Sequence, residues 1–434
     1  MTVSANERVV ADEQARDWRK RKLKFVSSVR TSNVDKHIVE GEAAVRLCNY
    51  TDVYYHEEIT PDMPFMQGSA TEGEIERFGL KKGQVLLTKD SESWEDIAVP
   101  AYVSETMPEV VCGYHLAVIE TDSDEVDGRY LSWLAQSPVL NDQFKLSAKG
   151  VTRFGLSQHA LKNAVIDAPP LEYQLKVAAF LDRKTAEIDT LIAKKRRLLD
   201  RLVEKRTALI TRAVTKGLNP DAPMKDSGIE WLGEIPAHWD VIAIKWITPV
   251  LRGASPRPID DPIYFDDEGE YSWVRIADVT ASEMRLEKTT QRLSELGASL
   301  SVKRHPGDLF LSIAGSVGKP IIAGIKCCIH DGFVYFPRIP PELSEYLFWI
   351  FKSGQPYLGL GKLGTQLNLN TDTVGGIRIA LPPADEVHEI VDWISDSVES
   401  LDEIHERISN AIARLEEYRS ALITNAVTGQ IKVA

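Results

Sequence analysis

The sequence predicts an α+β chain. Two strand-rich α/β globules are joined by two long helices that pair as an antiparallel coiled coil, in a pseudo-two-fold internal repeat. Three observations predict it. Arg206–Thr215 recurs as Arg419–Thr428 with eight of ten positions identical, at an offset of 213 that holds back to Pro169-Pro170 and Pro382-Pro383. A heptad runs through each copy. The two heptad segments also carry opposite charge: residues 182–212 hold ten basic and five acidic side chains, and residues 385–417 hold two and eleven.

Taken in order, residues 1–165 form the first globule and 166–218 the first helix region. Residues 219–240, with Pro220, Pro223, Gly228, Gly233 and Pro236, read as a linker. Residues 241–378 form the second globule and 379–434 the second helix region. Each helix starts after a Pro-Pro pair, which cannot sit inside a helix. The expected seam of the first helix runs through Leu181, Ile188, Leu191, Leu198, Leu202 and Leu209. That of the second runs through Ile394, Leu401, Ile404, Ile408, Leu415 and Leu422. Steps of three and four over four heptads demand a partner helix. The opposite charges make each helix the other's better partner.

The globules repeat more faintly. Val45–Thr51 resembles Val274–Thr280, Lys82–Thr88 resembles Pro306–Ser312, and Thr152–Ser157 aligns with Thr365–Asn370. Trp18 before Leu23-Lys24 matches Trp239 before Ile244-Lys245. Short apolar runs between glycine turns predict strands.

The whole chain of 434 residues carries 51 Lys and Arg against 64 Asp and Glu, a net charge of −13. Nucleic-acid binders are usually basic. By segment, however, the second globule is neutral with fifteen of each sign, and the second helix alone carries −9. The expectation is a chain that binds DNA weakly by itself. Four scattered cysteines, Cys48, Cys112, Cys327 and Cys328, form no zinc pattern and point to a reducing compartment. Neither a signal peptide nor a transmembrane run is expected, so the cytoplasm is the expected location.

Catalytic motifs fail. Asp402-Glu403-Ile404-His405 spells a helicase-like box, yet no phosphate-cradling G-x-x-x-x-G-K-[ST] loop exists. The Pro-Pro pairs lack the [N/D]-P-P-[Y/F] form of an adenine methyltransferase. Asp260-Asp261 and Asp266-Asp267 read as solvated loop charge. No metal site and no catalytic residue are assigned.

Two unlike globules, each closed by a near-identical heptad helix, resemble the specificity (HsdS) subunit of type I restriction–modification systems. The resemblance rests on Trp239, on Gly253-Ala-Ser255-Pro256 with Trp273-Val-Arg275-Ile-Ala-Asp278, and on Gly315-Ser-Val-Gly318-Lys319. Gly364-Thr365-Gln366 and Ala168-Pro-Pro-Leu-Glu172-Tyr-Gln174 extend it. It implies a non-catalytic subunit whose target-recognition domains each read half of a split DNA site. The helices would act as a spacer ruler and would dock two methyltransferase subunits. Motor–nuclease (restriction) subunits join in the full complex. S-adenosylmethionine, ATP and Mg²⁺ would belong to those partners, and this chain itself would hold no cofactor. A coiled-coil adaptor without DNA specificity is the alternative.

Arg and Lys suit guanine edges and phosphates, and Asn and Gln suit adenine. The DNA contacts expected on this basis are Lys89, Trp94, Lys149, Thr152 and Arg153 in the first globule. In the second they are Arg275, Lys319, Lys362, Thr365, Gln366 and Asn368. Glu172, Gln174, Arg196, Arg197, Glu403 and Arg407, as exposed helix positions, are expected to face the methyltransferases.

Overall fold

A computed structural model describes residues 18–358 and 369–433. The chain divides into two units, Met1–Arg196 with Asn410–Ala434, and Arg197–Ser409. The first long helix, Leu171–Lys216, therefore begins in the first unit and ends in the second; the second, Ala384–Val427, does the reverse.

The first unit holds a four-stranded sheet in the order Met66–Ala70, Ala43–Cys48, Met107–Cys112, Gly79–Leu80. Its five-stranded sheet runs Ser27–Thr31, Leu116–Thr121, Val85–Thr88, Pro100–Val103, Glu58–Ile59. Leu47, Val110, Leu86 and Val118 fill the core shared by the two sheets. The second unit repeats this plan strand for strand. Its four-stranded sheet runs Gln291–Leu293, Tyr271–Val274, Cys327–Ile329, Val302–Arg304. Its five-stranded sheet runs Leu251–Arg252, Phe333–Tyr335, Leu309–Ser312, Pro320–Ala323, Arg285–Leu286. The single parallel pairing of each sheet also recurs in place: Val111 faces Leu47 as Trp273 faces Cys328 in the small sheets. Ile59 faces Val103 as Leu286 faces Ala323 in the large ones. The faint repeat of sequence is thus a full repeat of topology.

Equivalent residues shape equivalent turns. Gly83 and Gly307 take φ of +90° and +94° at the turn before the central strand, a conformation that costs glycine least. The acid of the W-[VI]-[RK]-x-x-[DN] motif is a helix cap: Asp278 accepts the Arg275 amide at 2.9 Å, as Asp52 accepts that of Asn49 at 2.7 Å. Ser157 and Asn370 cap the short helices Gln158–Asn163 and Thr371–Gly376.

The segment 219–240 folds into the second unit. Met224–Asp226 pairs with Glu234–Pro236, and Leu232, Ile235 and Trp239 enter the core. Trp239 donates its indole N–H to Glu386 at 2.8 Å.

The long helices pair antiparallel within each unit. In the first, Arg196 meets Glu416 at 2.8 Å and Arg419 meets Asp189 at 2.9 Å. In the second, Arg206 meets Asp402 at 2.7 Å. Leu181, Ile188, Ile394, Leu401, Ile408 and Leu422 are buried, and Leu202, Leu209 and Leu415 half-buried. Leu191, Leu198 and Ile404 correct the expected seam, because all three are exposed. Leu191 is 43% exposed while its neighbour Ile192 is 6% exposed. Leu199 is likewise turned further inward than Leu198. The inward step after Leu181 is four residues, to Thr185, and then three, to Ile188. At 3.6 residues per turn, positions i+3 and i+4 share a face. Adjacent apolar residues therefore leave the choice to packing.

No described helix is long and apolar enough to cross a membrane.

Candidate nucleic-acid interface

In the second unit the strand Tyr271–Val274 delivers Arg275 to the start of the helix Ile276–Ala281. Arg275 is exposed and donates to the Gln291 amide oxygen. Both line an open cleft of about 890 Å³ with Trp273, His330, Asp331 and Arg257. Asp331 organises one wall. It accepts from the Ser255 hydroxyl at 3.0 Å and from Arg257 at 2.8 Å. Burial alone would raise its carboxyl pKa, but the Ser255 bond and the charges of Arg257 and Arg252 hold it below the usual range. The serine of the G-x-S-P motif is therefore the donor that fixes Asp331.

His330 stands beside Trp273, ring centroids 5.8 Å apart, and its Nδ1 accepts the Gly332 amide at 2.8 Å. That bond places the neutral ring's proton on Nε2. Burial pushes its pKa down, against a raising pull from Asp331.

Lys319 closes the G-x-x-G-K turn. Its Nζ donates to the Thr280 carbonyl at 2.8 Å, pinning the turn to the helix that Arg275 begins. Burial lowers the pKa of this amine. Gly318 takes φ +84°, and a Cβ there would stand 2.9 Å from the Tyr357 ring. Lys319 thus acts within the fold and does not line the cleft. Lys362, Thr365, Gln366 and Asn368 lie outside the described residues.

In the first unit the structure gathers Lys89, Lys149, Thr152 and Arg153. Phe154–Gly155 pairs with Asp90–Ser91, and Lys149 bridges to Gly155. The loop between them carries Thr152 and Arg153, both exposed. Lys89 Nζ lies 2.9 Å from Asp90 and 4.6 Å from the Tyr114 ring centre. Asp90 also binds His115 at 2.9 Å, and Arg153 reaches the His115 ring at 3.1 Å. Burial would raise the Asp90 pKa, but the bonds from His115 and Lys89 lower it. Trp94 is exposed on the turn Trp94–Asp96, just beyond this group.

The two units differ where they are topologically equivalent. The pairing register moves the sequence match of Val45–Thr51 with Val274–Thr280 by three residues: Cys48 and Val274 end equivalent strands, and Asn49, not Arg46, is the counterpart of Arg275, each the N-cap of the helix that follows. Arg46, within the strand, is neutralised by Glu109 at 2.6 Å and lies over the Phe65 ring. Among the described residues, the Arg275 guanidinium pairs with the neutral Gln291 and with no carboxylate. Gln291, Arg257, His330, Asp331 and His115 went unrecognised in the sequence. They belong to no motif, and only strand pairing brings them to the site.

Among the expected docking residues, Gln174 is a correction. It is fully buried and accepts the Asp127 amide at 2.9 Å. It donates to the Glu125 and Pro169 carbonyls at 3.0 and 2.8 Å. Its amide satisfies backbone groups at the helix start, so it fastens helix to globule. Glu172 is exposed and pairs with Lys176, and Glu403 pairs with Arg407. Arg196 is engaged by Glu416 across the helix pair, and Arg197 is exposed.

The type I restriction modification DNA specificity domain family matches residues 17–200 and 236–414. The chain belongs to this family. It is 23% identical over 332 residues to the EcoBI specificity subunit of Escherichia coli, covering 72% of this chain and 68% of the relative. It is 24% identical over 329 residues to the MjaVIII specificity subunit of Methanocaldococcus jannaschii, covering 73% of each. Two solved structures share the fold. The HsdS subunit from Thermoanaerobacter tengcongensis gives a TM-score of 0.58 at 17% identity, covering 96% of this chain and 98% of that one. A chain from a study of complex assembly and conformational transition in the type I R-M system gives 0.74 at 16% identity, covering 95% and 98%.

Proposed function

We propose that this chain is the DNA-specificity subunit of a type I restriction–modification complex and is itself non-catalytic. One observation carries the reading: two units of identical strand order present unlike polar groups at equivalent positions, Asn49 in the first and Arg275 in the second, each at the N-cap of the helix after the equivalent strand. One scaffold used twice with different contact chemistry suits a reader of two different half-sites. The family match across both halves supports it.

In this reading residues 1–165 and 241–378 are the target-recognition domains. Lys89, Trp94, Lys149, Thr152 and Arg153 contact one half-site. Arg275, Lys319, Lys362, Thr365, Gln366 and Asn368 contact the other. The helix regions 166–218 and 379–434 set the unread spacer and dock two methyltransferase subunits, through Glu172, Arg196, Arg197, Glu403 and Arg407. Restriction subunits complete the assembly, and the partners bring S-adenosylmethionine, ATP and Mg²⁺. The complex works on double-stranded DNA in the cytoplasm.

The test is to express the chain with its methyltransferase partner and map methylated adenines genome-wide. A split site with two defined halves is expected; methylation without sequence preference would sink the reading. Inserting four residues in both helices should lengthen the spacer and leave both halves unchanged.

A further inference from the structure

Each unit has a four-residue helix, Leu23–Val26 or Ile244–Ile247, directly after the strand that pairs with the last strand before its long helix, Arg19–Lys22 with Val165–Ala168 and Asp240–Ala243 with Arg378–Leu381. The two are docked alike. The Leu23 amide donates to the Ala164 carbonyl at 3.0 Å, and the Ile244 amide to the Ile377 carbonyl at 3.0 Å. These carbonyls are themselves equivalent at the repeat offset of 213. Leu23 and Ile244 are fully buried. The third residue of each is a large aromatic facing solvent: Phe25 is 69% exposed and Trp246 is 75% exposed. The lysine before each lies over the ring, Lys24 at 5.1 Å and Lys245 at 5.7 Å from the ring centre.

An exposed aromatic of this size is costly to leave in water and marks a contact when it is part of a built feature. Here the feature is built twice. Residues that read sequence differ between the units, so a shared aromatic–lysine knob meets something that is the same at both. Phosphate is a poor candidate. Arg19–Lys24 contains five cations, but the matching Asp240–Lys245 contains one cation and one acid. What the two knobs share is a ring and an ammonium, which suits an apolar protein pocket with a carboxylate at its rim.

We infer that Phe25 and Trp246 are equivalent anchors for two copies of one protein partner, the methyltransferase subunit, one copy on each unit. This rests on the specificity-subunit reading and adds a globule contact to the helix surfaces.

The test uses the full chain with its methyltransferase subunit. Sedimentation or native mass spectrometry at dilute concentration gives the stoichiometry for Phe25→Ala, Trp246→Ala and the double variant. Each single variant should weaken one of two partner sites by roughly 30-fold, leaving a one-to-one complex, and the double variant should weaken both. Phe25→Tyr and Trp246→Phe, which keep a ring, should restore assembly. Unchanged assembly in the double variant overturns the inference. So does weakened DNA binding with intact assembly, which would make the rings a DNA contact. A wild-type chain that recruits no methyltransferase overturns the specificity-subunit reading and this inference with it. Both residues are exposed, so the thermal midpoints should match wild type.

Discussion

The Tyr346 hydroxyl lies 3.2 Å from the Val214 carbonyl near the end of the first long helix. Tyr130 repeats the contact at 3.1 Å with Val427, the last residue of the second. Each globule is thus closed by the end of the helix that the other repeat copy begins. Carbonyls in the last turn of a helix lack an intrahelical donor, and the buried tyrosines supply one. Each O–H also faces the end strand of its own globule, through Ala380 at 2.9 Å and Asp167 at 3.4 Å. Tyr346→Phe leaves buried carbonyls unsatisfied and should cost about 1–3 kcal/mol, read as a lower urea midpoint. A chain ending at Ser409 loses Val427. Its first unit should be cut early in limited proteolysis while the Tyr346 contact persists.

The same closure uses a glycine under a tryptophan. Gly217 takes φ +68°, with its Cβ position 3.0 Å from the Trp239 ring; Gly429 takes φ +70°, 2.8 Å from Trp18. Alanine at either position adds left-handed strain of about 1–2 kcal/mol and pushes on an indole. Gly217→Ala and Gly429→Ala should each lower stability and shift tryptophan emission to the red. Wild-type emission and midpoint would show that the ring is free to move.

The seam can be tested with neighbours. Ile192 is buried and Leu191 exposed. Ile192→Ala should cost about 2–4 kcal/mol, the range for deleting a buried aliphatic side chain. Leu191→Ala should stay within about 0.5 kcal/mol. Equal costs in thermal melts would return Leu191 to the seam.

These residues show what the sequence made legible. The helices were readable because eight identical residues and opposite charges are local and additive. The inward position was not, because Leu191-Ile192 and Leu198-Leu199 are apolar pairs that any periodicity accepts. Gln174 was misjudged for a related reason: a polar residue in a helix reads as exposed unless the backbone groups it satisfies are known. The cleft was half visible. Trp273, Arg275 and Ser255 stand in motifs, whereas Gln291 and Asp331 join them only through pairings that lie far off in sequence.

Arg275 and Arg46 predict an asymmetry in reading. Arg275 keeps its charge available beside a neutral amide, and Arg46 is neutralised by Glu109. A free guanidinium suits a guanine edge, and such a contact discriminates by about 1–3 kcal/mol. Arg275→Ala should therefore relax one position of one half-site in the methylation pattern. Arg46→Ala should leave both half-sites unchanged and lower the stability of the first unit. Gln291→Glu, which sets a carboxylate beside Arg275 as Glu109 stands beside Arg46, should mimic Arg275→Ala. Relaxation of both half-sites by Arg46→Ala would refute the asymmetry.

His330 makes the second unit sensitive to mild acid. Unfolded, it titrates near 6.5; folded, burial moves it lower. Below 6.5 the unfolded chain takes up a proton that the folded chain still refuses, so acid favours unfolding. The contribution is complete above pH 6.5 and is lost as pH falls through the folded value. Asp331, held below its ordinary 3.8, acts only in a lower window. His330→Asn keeps an acceptor for the Gly332 amide and removes the titration. Its thermal midpoint should fall less between pH 7 and about pH 5 than that of the wild type. Parallel pH profiles would place the acid sensitivity elsewhere.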